Sequence, residues 1–342
     1  MTVRVAIIGA GHLGRIHTRL MQQHEAAELV AVVDPVVGSR EAIADEFGVS
    51  GWSDFSAHLD RFDAAVVATP TEFHHHVVCQ LLQAGKDVFV EKPIATTSEQ
   101  AREMVRLARD QRCILQVGHV ERFNPAFSAG QQHVDSPQFI STQRTSGFAF
   151  RSADIGVVLD LMIHDLDLTL TWVKSPLIEV RSTGFSILGG HEDVAHAWLR
   201  FRSGCVATLF ASRVSPENTR TFEAVGHKRS ARLDLATGKA CLLQPGENWP
   251  CPSDAIHAMS VEERKANQSR FFTDFVSAEP VESAETNAIL EEQRDFLECV
   301  QSRQAPIVPG KQGARVLEVA QRILAAMHLE SWTEEGRWRA AA

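Results

Sequence analysis

Apolar residues in the first third of the chain fall into short β-branched runs separated by amphipathic stretches. Val3-Arg4-Val5-Ala6-Ile7-Ile8 reads as a buried strand. A helical pattern follows to about His24, with Leu13, Ile16, Leu20 and Met21 on one face. Leu29–Val33 is a second strand, Ser39–Phe47 a helix, and Ser53 is placed to cap a short helix to Leu59. Ala64–Ala68, Val88–Val90 and Ile114–Val117 continue the strands. Helices Glu72–Ala84, stopped by Gly85, and Ser98 to about Asp110 lie between them. This alternation predicts a parallel, doubly wound α/β sheet up to about Gly118.

The pattern then changes. Asn124-Pro125 opens a short helix, and alternating stretches predict an open, mainly antiparallel sheet. Its strands are Phe139–Thr145, Ile178–Ser186, Val194–Phe201, Cys205–Ala211, Phe222–Gly226 and Ala231–Leu235. One helix, about Leu159–Val173, interrupts them; Gln244–Asp254 reads as a loop, and Asn287–Arg303 and Gly313–Glu330 as helices. We expect a nucleotide-binding domain over residues 1–120 and a second α/β domain over 121–342, with C-terminal helices able to pack back on the first.

Composition narrows the function. A formal net charge of −9 argues against general nucleic-acid binding. No apolar stretch is long enough to span a bilayer, and the chain opens on a strand rather than a leader. Six scattered cysteines with no C-x-x-C pair suit reduced thiols in a cytoplasmic protein. There is no tyrosine, so a Tyr-x-x-x-Lys acid–base pair is excluded.

Chemistry concentrates at strand ends. The first strand runs into Gly9-Ala10-Gly11-His12-Leu13-Gly14, a G-x-G-x-x-G turn. Gly9 permits the tight turn, Gly11 lets a diphosphate approach, and Gly14 lets the helix pack on the strand. The helix tip, at His12 and Leu13, offers amides and partial positive charge to that diphosphate. Asp34 ends the second strand, twenty residues beyond Gly14, where a carboxylate accepts both ribose hydroxyls. A 2′-phosphate would meet like charge there, and Pro35 follows rather than an arginine, so the cofactor expected is NAD. Thr69-Pro70, Glu91-Lys92-Pro93 and Gly118-His119 end the other strands. All are expected to line one crevice, closed by the second domain.

Lys92, between Glu91 and Pro93, can reach cofactor and substrate hydroxyls together; a surface lysine is the alternative. The bond before Pro93 is a candidate cis peptide. Asp160 and His164 lie four apart in an apolar helix, where burial carries a cost unless they are paired or used. Histidine is the side chain best suited to move a proton near neutral pH. A buried structural His–Asp pair is the alternative, and Asp165 and Asp167 are expected to cap or pair. His74-His75-His76 cannot converge on one ion, because consecutive helical residues point about 100° apart. No metal is expected, and His75 and His76 should face solvent.

Gly9–Gly14, Thr69-Pro70 with His74, Glu91-Lys92-Pro93 and Asp160-x-x-x-His164 occur in the order found in the glucose–fructose oxidoreductase/inositol dehydrogenase/MocA family, which the chain resembles over nearly its whole length. The resemblance implies a Rossmann domain plus an α/β domain with an open sheet, and NAD(P)-dependent hydride transfer at a sugar or cyclitol carbinol. It implies that Lys92 holds the reacting hydroxyl and nicotinamide ribose, that His164 moves the proton and that Asp160 orients substrate. It places His74 near the adenine. The stretch departs from the family in having only Gly156 before the helix and Met162 between Asp160 and His164.

Gly118-His119-Val120-Glu121-Arg122-Phe123-Asn124-Pro125 resembles the subgroup that oxidises nucleotide-linked amino sugars, such as UDP-N-acetylglucosamine at C3, for a partner aminotransferase in lipid A or surface-sugar synthesis. Arg122 and Asn124 suit hydroxyl, amide or phosphate contacts; a helix cap by Asn124 and a Glu121–Arg122 surface pair are the alternative. Arg144, Arg151 and Arg213 are candidates for a diphosphate clamp. Rival readings are an inositol or free-monosaccharide dehydrogenase and a non-catalytic NAD-sensing module. The family's habit implies a homodimer or homotetramer through the second sheet.

Overall fold

The computed structural model describes residues 2–150, 155–188, 190–249, 251–284, 286–332 and 338–340. The chain forms two units, Met1–Phe123 with Thr286–Arg322, and Asn124–Glu285 with Ile323–Ala342. The sequence boundary expected at residue 120 compares with Phe123/Asn124 here, and Thr286–Arg322 returns to the first unit.

The first unit is built on strands β1 (Val3–Ile8), β2 (Ala27–Val33), β3 (Ser50–Trp52), β4 (Ala64–Val67), β5 (Asp87–Glu91) and β6 (Leu115–Gly118). All pair in parallel, in the order β3-β2-β1-β4-β5-β6. This is a doubly wound order that reverses at β1, where such sheets bind dinucleotides. Helices α1 (His12–Met21), α2 (Val37–Phe47), α3 (Thr71–Gln83) and α4 (Ser98–Gln111) link them. The strands are mainly apolar because a parallel sheet is covered on both faces: every residue of β4, and all of β1 but Arg4, is buried.

Two local expectations change. The buried face of α1 carries Gly14, His17, Thr18, Leu20 and Met21, while Leu13 is 39% exposed. Thr18 fits there because its hydroxyl donates to the Gly14 carbonyl. Ser53 does not cap this segment: a 3₁₀ turn runs over Ser56–Arg61 with Phe55 at its N-cap, and the Asp54 carboxylate accepts the Ser56 amide.

In the second unit the strands are β7 (Phe139–Thr145), β8 (Leu177–Ser186), β9 (Val194–Phe201), β10 (Val206–Ser212), β11 (Thr219–Val225), β12 (Ser230–Asp234), β13 (Lys239–Pro245) and β14 (Val276–Val281). Helices α5 (Pro125–Gln131) and α6 (Ile163–Val173) cover one face, and α7 (Ser253–Ala258) and α8 (Val261–Ser269) lie between β13 and β14. Trp172 of α6 stacks on Phe222 of β11 at 5.4 Å, and Phe127 of α5 meets Trp172 edge-on. The Trp172 indole donates to the Val134 carbonyl, which satisfies its one buried polar atom. The opposite face is more exposed, with Phe139, Gln143, His196 and Arg200 facing solvent.

Two later helices follow, α9 (Ala288–Ser302) and α10 (Gly310–Ala326). The helix expected to Glu330 ends at Ala326, and Met327–Trp332 is a strand, β15, paired in parallel with β8; β16 (Trp338–Ala340) flanks it. The second sheet is therefore mixed but mostly antiparallel, in the order β14-β13-β12-β11-β7-β10-β9-β8-β15-β16, with β7–β10 and β8–β15 its parallel pairs. No helix among the described residues is long and apolar enough to cross a membrane.

Helix α9 belongs to the core of the first unit. Phe296 and Leu297 are buried in one cluster with Val5, Ile7, Met21 and Phe89, and Phe296 meets Phe89 edge-on at 6.0 Å. Phe296→Ala should cost that unit about 3–5 kcal/mol, the usual range for a large buried aromatic. Urea unfolding followed by loss of bound NAD measures it; a loss below about 1 kcal/mol would mean that α9 adds little to this core.

Candidate active site

The glycine turn is a place where backbone meets backbone. Gly9 has φ +107°. A Cβ on it would lie 2.7 Å from the Ala68 carbonyl oxygen, and one on Gly14 would lie 1.9 Å from the Gly9 carbonyl oxygen. Helix α1 can therefore start against β1 only without side chains at both points. Gly11 has open space instead, with nothing within 4 Å of a Cβ there. Gly11, His12 and Leu13 are exposed, and no side chain caps the helix, so its first amides are open to a ligand.

Asp34 closes the turn. Its Oδ2 accepts the Ala10 amide and its Oδ1 the Val36 amide, both at 2.8 Å. Each oxygen keeps a lone pair that could take a ribose hydroxyl. Arg40, six residues on, donates to the Asp34 carbonyl. A guanidinium thus stands beside the acid, although none follows it directly in sequence. The Thr69 hydroxyl is buried with no hydrogen-bond partner among the described residues. Open amides, space over Gly11, a carboxylate and an unsatisfied hydroxyl fit a dinucleotide, with Gly9–Gly14 holding its diphosphate.

At the end of β5 the Lys92–Pro93 peptide is cis, and Glu91 and Lys92 are half-buried. Glu91 Oε1 lies 2.7 Å from His17 Nε2, and its Oε2 accepts the Lys92 amide at 3.2 Å. Burial works to raise the Glu91 pKa, but the hydrogen bond to His17 and the charge of Lys92 outweigh it and hold the carboxyl below its usual value. The hydrophobic pattern of α1 does not single out His17; its spacing of three from Gly14 is the available cue to the buried face. His74 is buried, with Nδ1 2.8 Å from the Pro93 carbonyl and Nε2 2.9 Å from the Thr69 carbonyl. Burial pulls its pKa below the usual value against the push of those carbonyls. Both ring nitrogens face carbonyl oxygens, so His74 bridges the two strand-end loops.

In the second unit, Asp160 and His164 lie on a helix that is not continuous α-helix as expected. Val158–Met162 is a π turn, and α6 begins at Ile163. Such turns often occur at functional sites. Asp160 and His164 are half-buried while Val158, Met162, Ile163 and Asp165 are buried. The start of this helix is braced. Glu192, itself buried, accepts the Val158 amide at 3.0 Å, and a Cβ on Gly156 would fall 2.0 Å from that carboxylate oxygen. Arg213 pairs with buried Asp193 at 2.7 Å and donates to the Ile155 carbonyl.

Several expected ligand contacts are occupied otherwise. Arg144 grips Asp165 with both side chains buried, at 2.7 Å, and Arg213 is held by Asp193, so neither is a phosphate clamp. Asn124 is buried, accepts the Ala126 amide and donates to the Leu235 carbonyl: it is a helix cap. Arg122 is half-buried and donates to Gln312 Oε1 at 2.8 Å. Arg151 lies outside the described residues. His76 is exposed, whereas His75 is half-buried and meets Glu103 at 3.0 Å. His75, Cys79 and Glu103 are the group among the described residues with donor atoms within 4.8 Å of one another. The His75–Glu103 hydrogen bond and a Cys79 thiol pushed up to about 11 by burial account for it without an ion.

The doubly wound sheet, its open glycine turn and its acid mark a dinucleotide-binding unit, and comparison with known proteins makes the chain an NAD-dependent oxidoreductase acting on CH–OH groups. More particularly, the chain belongs to the glucose–fructose oxidoreductase/inositol dehydrogenase/MocA family: the family models described as "Oxidoreductase family, NAD-binding Rossmann fold" and "Oxidoreductase family, C-terminal alpha/beta domain" match residues 3–119 and 141–334. It is similar to the UDP-N-acetylglucosamine 3-dehydrogenase of Acidithiobacillus ferrooxidans, 30% identical over 327 residues that cover 95% of this chain and 97% of that one. A solved structure of that enzyme superposes with a TM-score of 0.83 at 29% identity, covering 96% of this chain and 98% of the other. An inositol 2-dehydrogenase of Rhizobium meliloti is 28% identical, over 72% of this chain and 82% of its own.

The Arg144–Asp165 pair makes a prediction. Arg144→Met leaves a buried carboxylate unpaired and should cost about 3–5 kcal/mol, whereas Arg144→Met with Asp165→Leu should recover most of it. Denaturant unfolding of both variants distinguishes a buried pair from a ligand clamp, whose loss would leave stability unchanged.

Proposed function

We propose that the protein oxidises a sugar hydroxyl to a ketone with NAD⁺, most specifically the C3 hydroxyl of a UDP-linked N-acetylamino sugar, giving a 3-keto sugar nucleotide. The observation that carries this reading is likeness along essentially the whole of both chains to a UDP-N-acetylglucosamine 3-dehydrogenase. Lys92, half-buried at the end of β5, holds the reacting hydroxyl and the nicotinamide ribose. His164 accepts the hydroxyl proton as hydride leaves for the nicotinamide, and Asp160 binds substrate and orients the imidazole. Gly9–Gly14 holds the diphosphate, Asp34 the adenosine ribose, and Thr69 and Pro70 line the strand-end loop. Arg122 is the remaining described arginine of the substrate set.

An inositol or free monosaccharide is the second reading, because inositol dehydrogenases are also relatives. The exposed face of the second sheet, with Phe139 and His196 outward, suits pairing of copies into a homodimer or homotetramer.

One assay tests the reading. NADH formation at 340 nm is followed with UDP-N-acetylglucosamine, UDP-N-acetylgalactosamine, myo-inositol and glucose, with and without added UDP. Turnover of a UDP-sugar, inhibited by UDP, is expected. Turnover of inositol alone, indifferent to UDP, would favour the second reading. His164→Ala should lose about a thousandfold or more in kcat, the scale of general-base loss, while NAD⁺ affinity persists.

A further inference from the structure

Behind Lys92 lies a buried chain of hydrogen bonds that the reaction as written does not use. It starts at Glu91, passes through His17 and reaches Gln293 on α9, a residue some two hundred positions away. Gln293 Nε2 lies 2.9 Å from His17 Nδ1 and 3.2 Å from the His17 carbonyl oxygen. That carbonyl can only accept, so the atom facing it is the amide nitrogen. The other end of the amide, Oε1, then faces His24 Nε2 at 3.2 Å. With an amide N–H directed at Nδ1, His17 carries its hydrogen on Nε2 and donates it to Glu91 Oε1 at 2.7 Å. His17 and Gln293 are 1% and 0% exposed, so water does not compete for these bonds.

We propose that His17, fixed as its Nε2–H tautomer by Gln293, is a positioning residue for the reaction, acting through Glu91 to hold the Lys92 turn. This rests on the reading in which Lys92 contacts the reacting hydroxyl. Glu91 has little freedom otherwise. One oxygen takes the His17 hydrogen and the other the Lys92 amide. A Cβ on Gly118 of the neighbouring strand would fall 2.9 Å from the second oxygen, so that wall is backbone. The ring of His17 packs edge-on against Phe89 at 5.3 Å, which fixes its plane. Helix α1, whose tip takes the cofactor, and helix α9 thus both set the position of one carboxylate.

The titratable groups facing Glu91 are His17 from α1, His74 from α3 and Lys92 from its own strand end. Removing the His17 donor leaves burial less opposed, so the Glu91 pKa rises and the carboxylate protonates at higher pH. A neutral carboxyl binds the Lys92 amide less well and adds a proton to the site. The acid limb of activity therefore moves to higher pH when the donor is lost.

The experiment compares wild type, His17→Leu, His17→Gln and Gln293→Leu. In His17→Leu, kcat should fall about tenfold or more with NAD⁺ affinity within about threefold, and the acid limb of kcat/KM should move up by about one pH unit. His17→Gln keeps an N–H donor and should bring the limb back towards wild type. Gln293→Leu should lower kcat in the same direction. An acid limb common to all four proteins, or activity that falls only with the unfolding midpoint, would overturn the proposal. ¹⁵N NMR of histidine-labelled wild type should show the His17 hydrogen on Nε2 with Nδ1 bare; a hydrogen on Nδ1 would overturn it equally. Failure of wild type to turn over any sugar would refute the proposed reaction. The tautomer would still decide whether Gln293 and Glu91 hold His17 as stated.

Discussion

A single contact between main-chain atoms sets the terms for the first unit. The Gly14 Cα sits so close to the Gly9 carbonyl that no Cβ can be inserted. This lets α1 begin at the edge of β1 and aim its first amides outward rather than into the sheet. Asp34 then fixes the turn from the next strand by taking the Ala10 amide. The acid that suits a ribose is thus also part of the scaffold that shapes the diphosphate cradle. Buried apolar strands supply the driving force, but they do not specify this geometry; the two glycines do.

The second unit solves a different problem. It places Asp160 and His164 on a helix whose neighbours are buried, and it braces that helix with charge. Glu192 caps the first amides of the π turn, Arg213 and Asp193 hold the preceding strand of chain, and Arg144 and Asp165 lock α6 from below. Buried ion pairs gain little net stability over apolar packing, but each is costly to break. Here they tie the π turn and α6 to β7 and to the residues around Glu192 and Asp193.

Periodicity made most of this architecture legible. The strands of the first unit read as mainly apolar runs because both faces of a parallel sheet are covered, and their ends carry the glycines, Asp34 and Lys92 in order. What stayed hidden depends on distant partners. Arg144 and Arg213 look like ligand clamps until Asp165 and Asp193 are placed against them. Asn124 offers the same amide to a sugar or to a helix start, and only the Leu235 carbonyl decides. The segment of β15 reads as helix in the sequence because the amphipathic pattern of α10 runs up to it without a proline or glycine break. His17 and Gln293 are polar positions that a hydrophobic pattern counts as outward, yet each satisfies the other's burial.

The return of Thr286–Arg322 to the first unit has a consequence for biosynthesis. The sheet of β1 to β6 is translated before α9, so the surface that receives Phe296 and Leu297 stays uncovered until Ala288–Ser302 has emerged. The nascent nucleotide-binding half must wait, partly open to chaperones, while the intervening unit is translated. A gene cut after Phe123 would therefore encode an exposed remnant rather than a transplantable module.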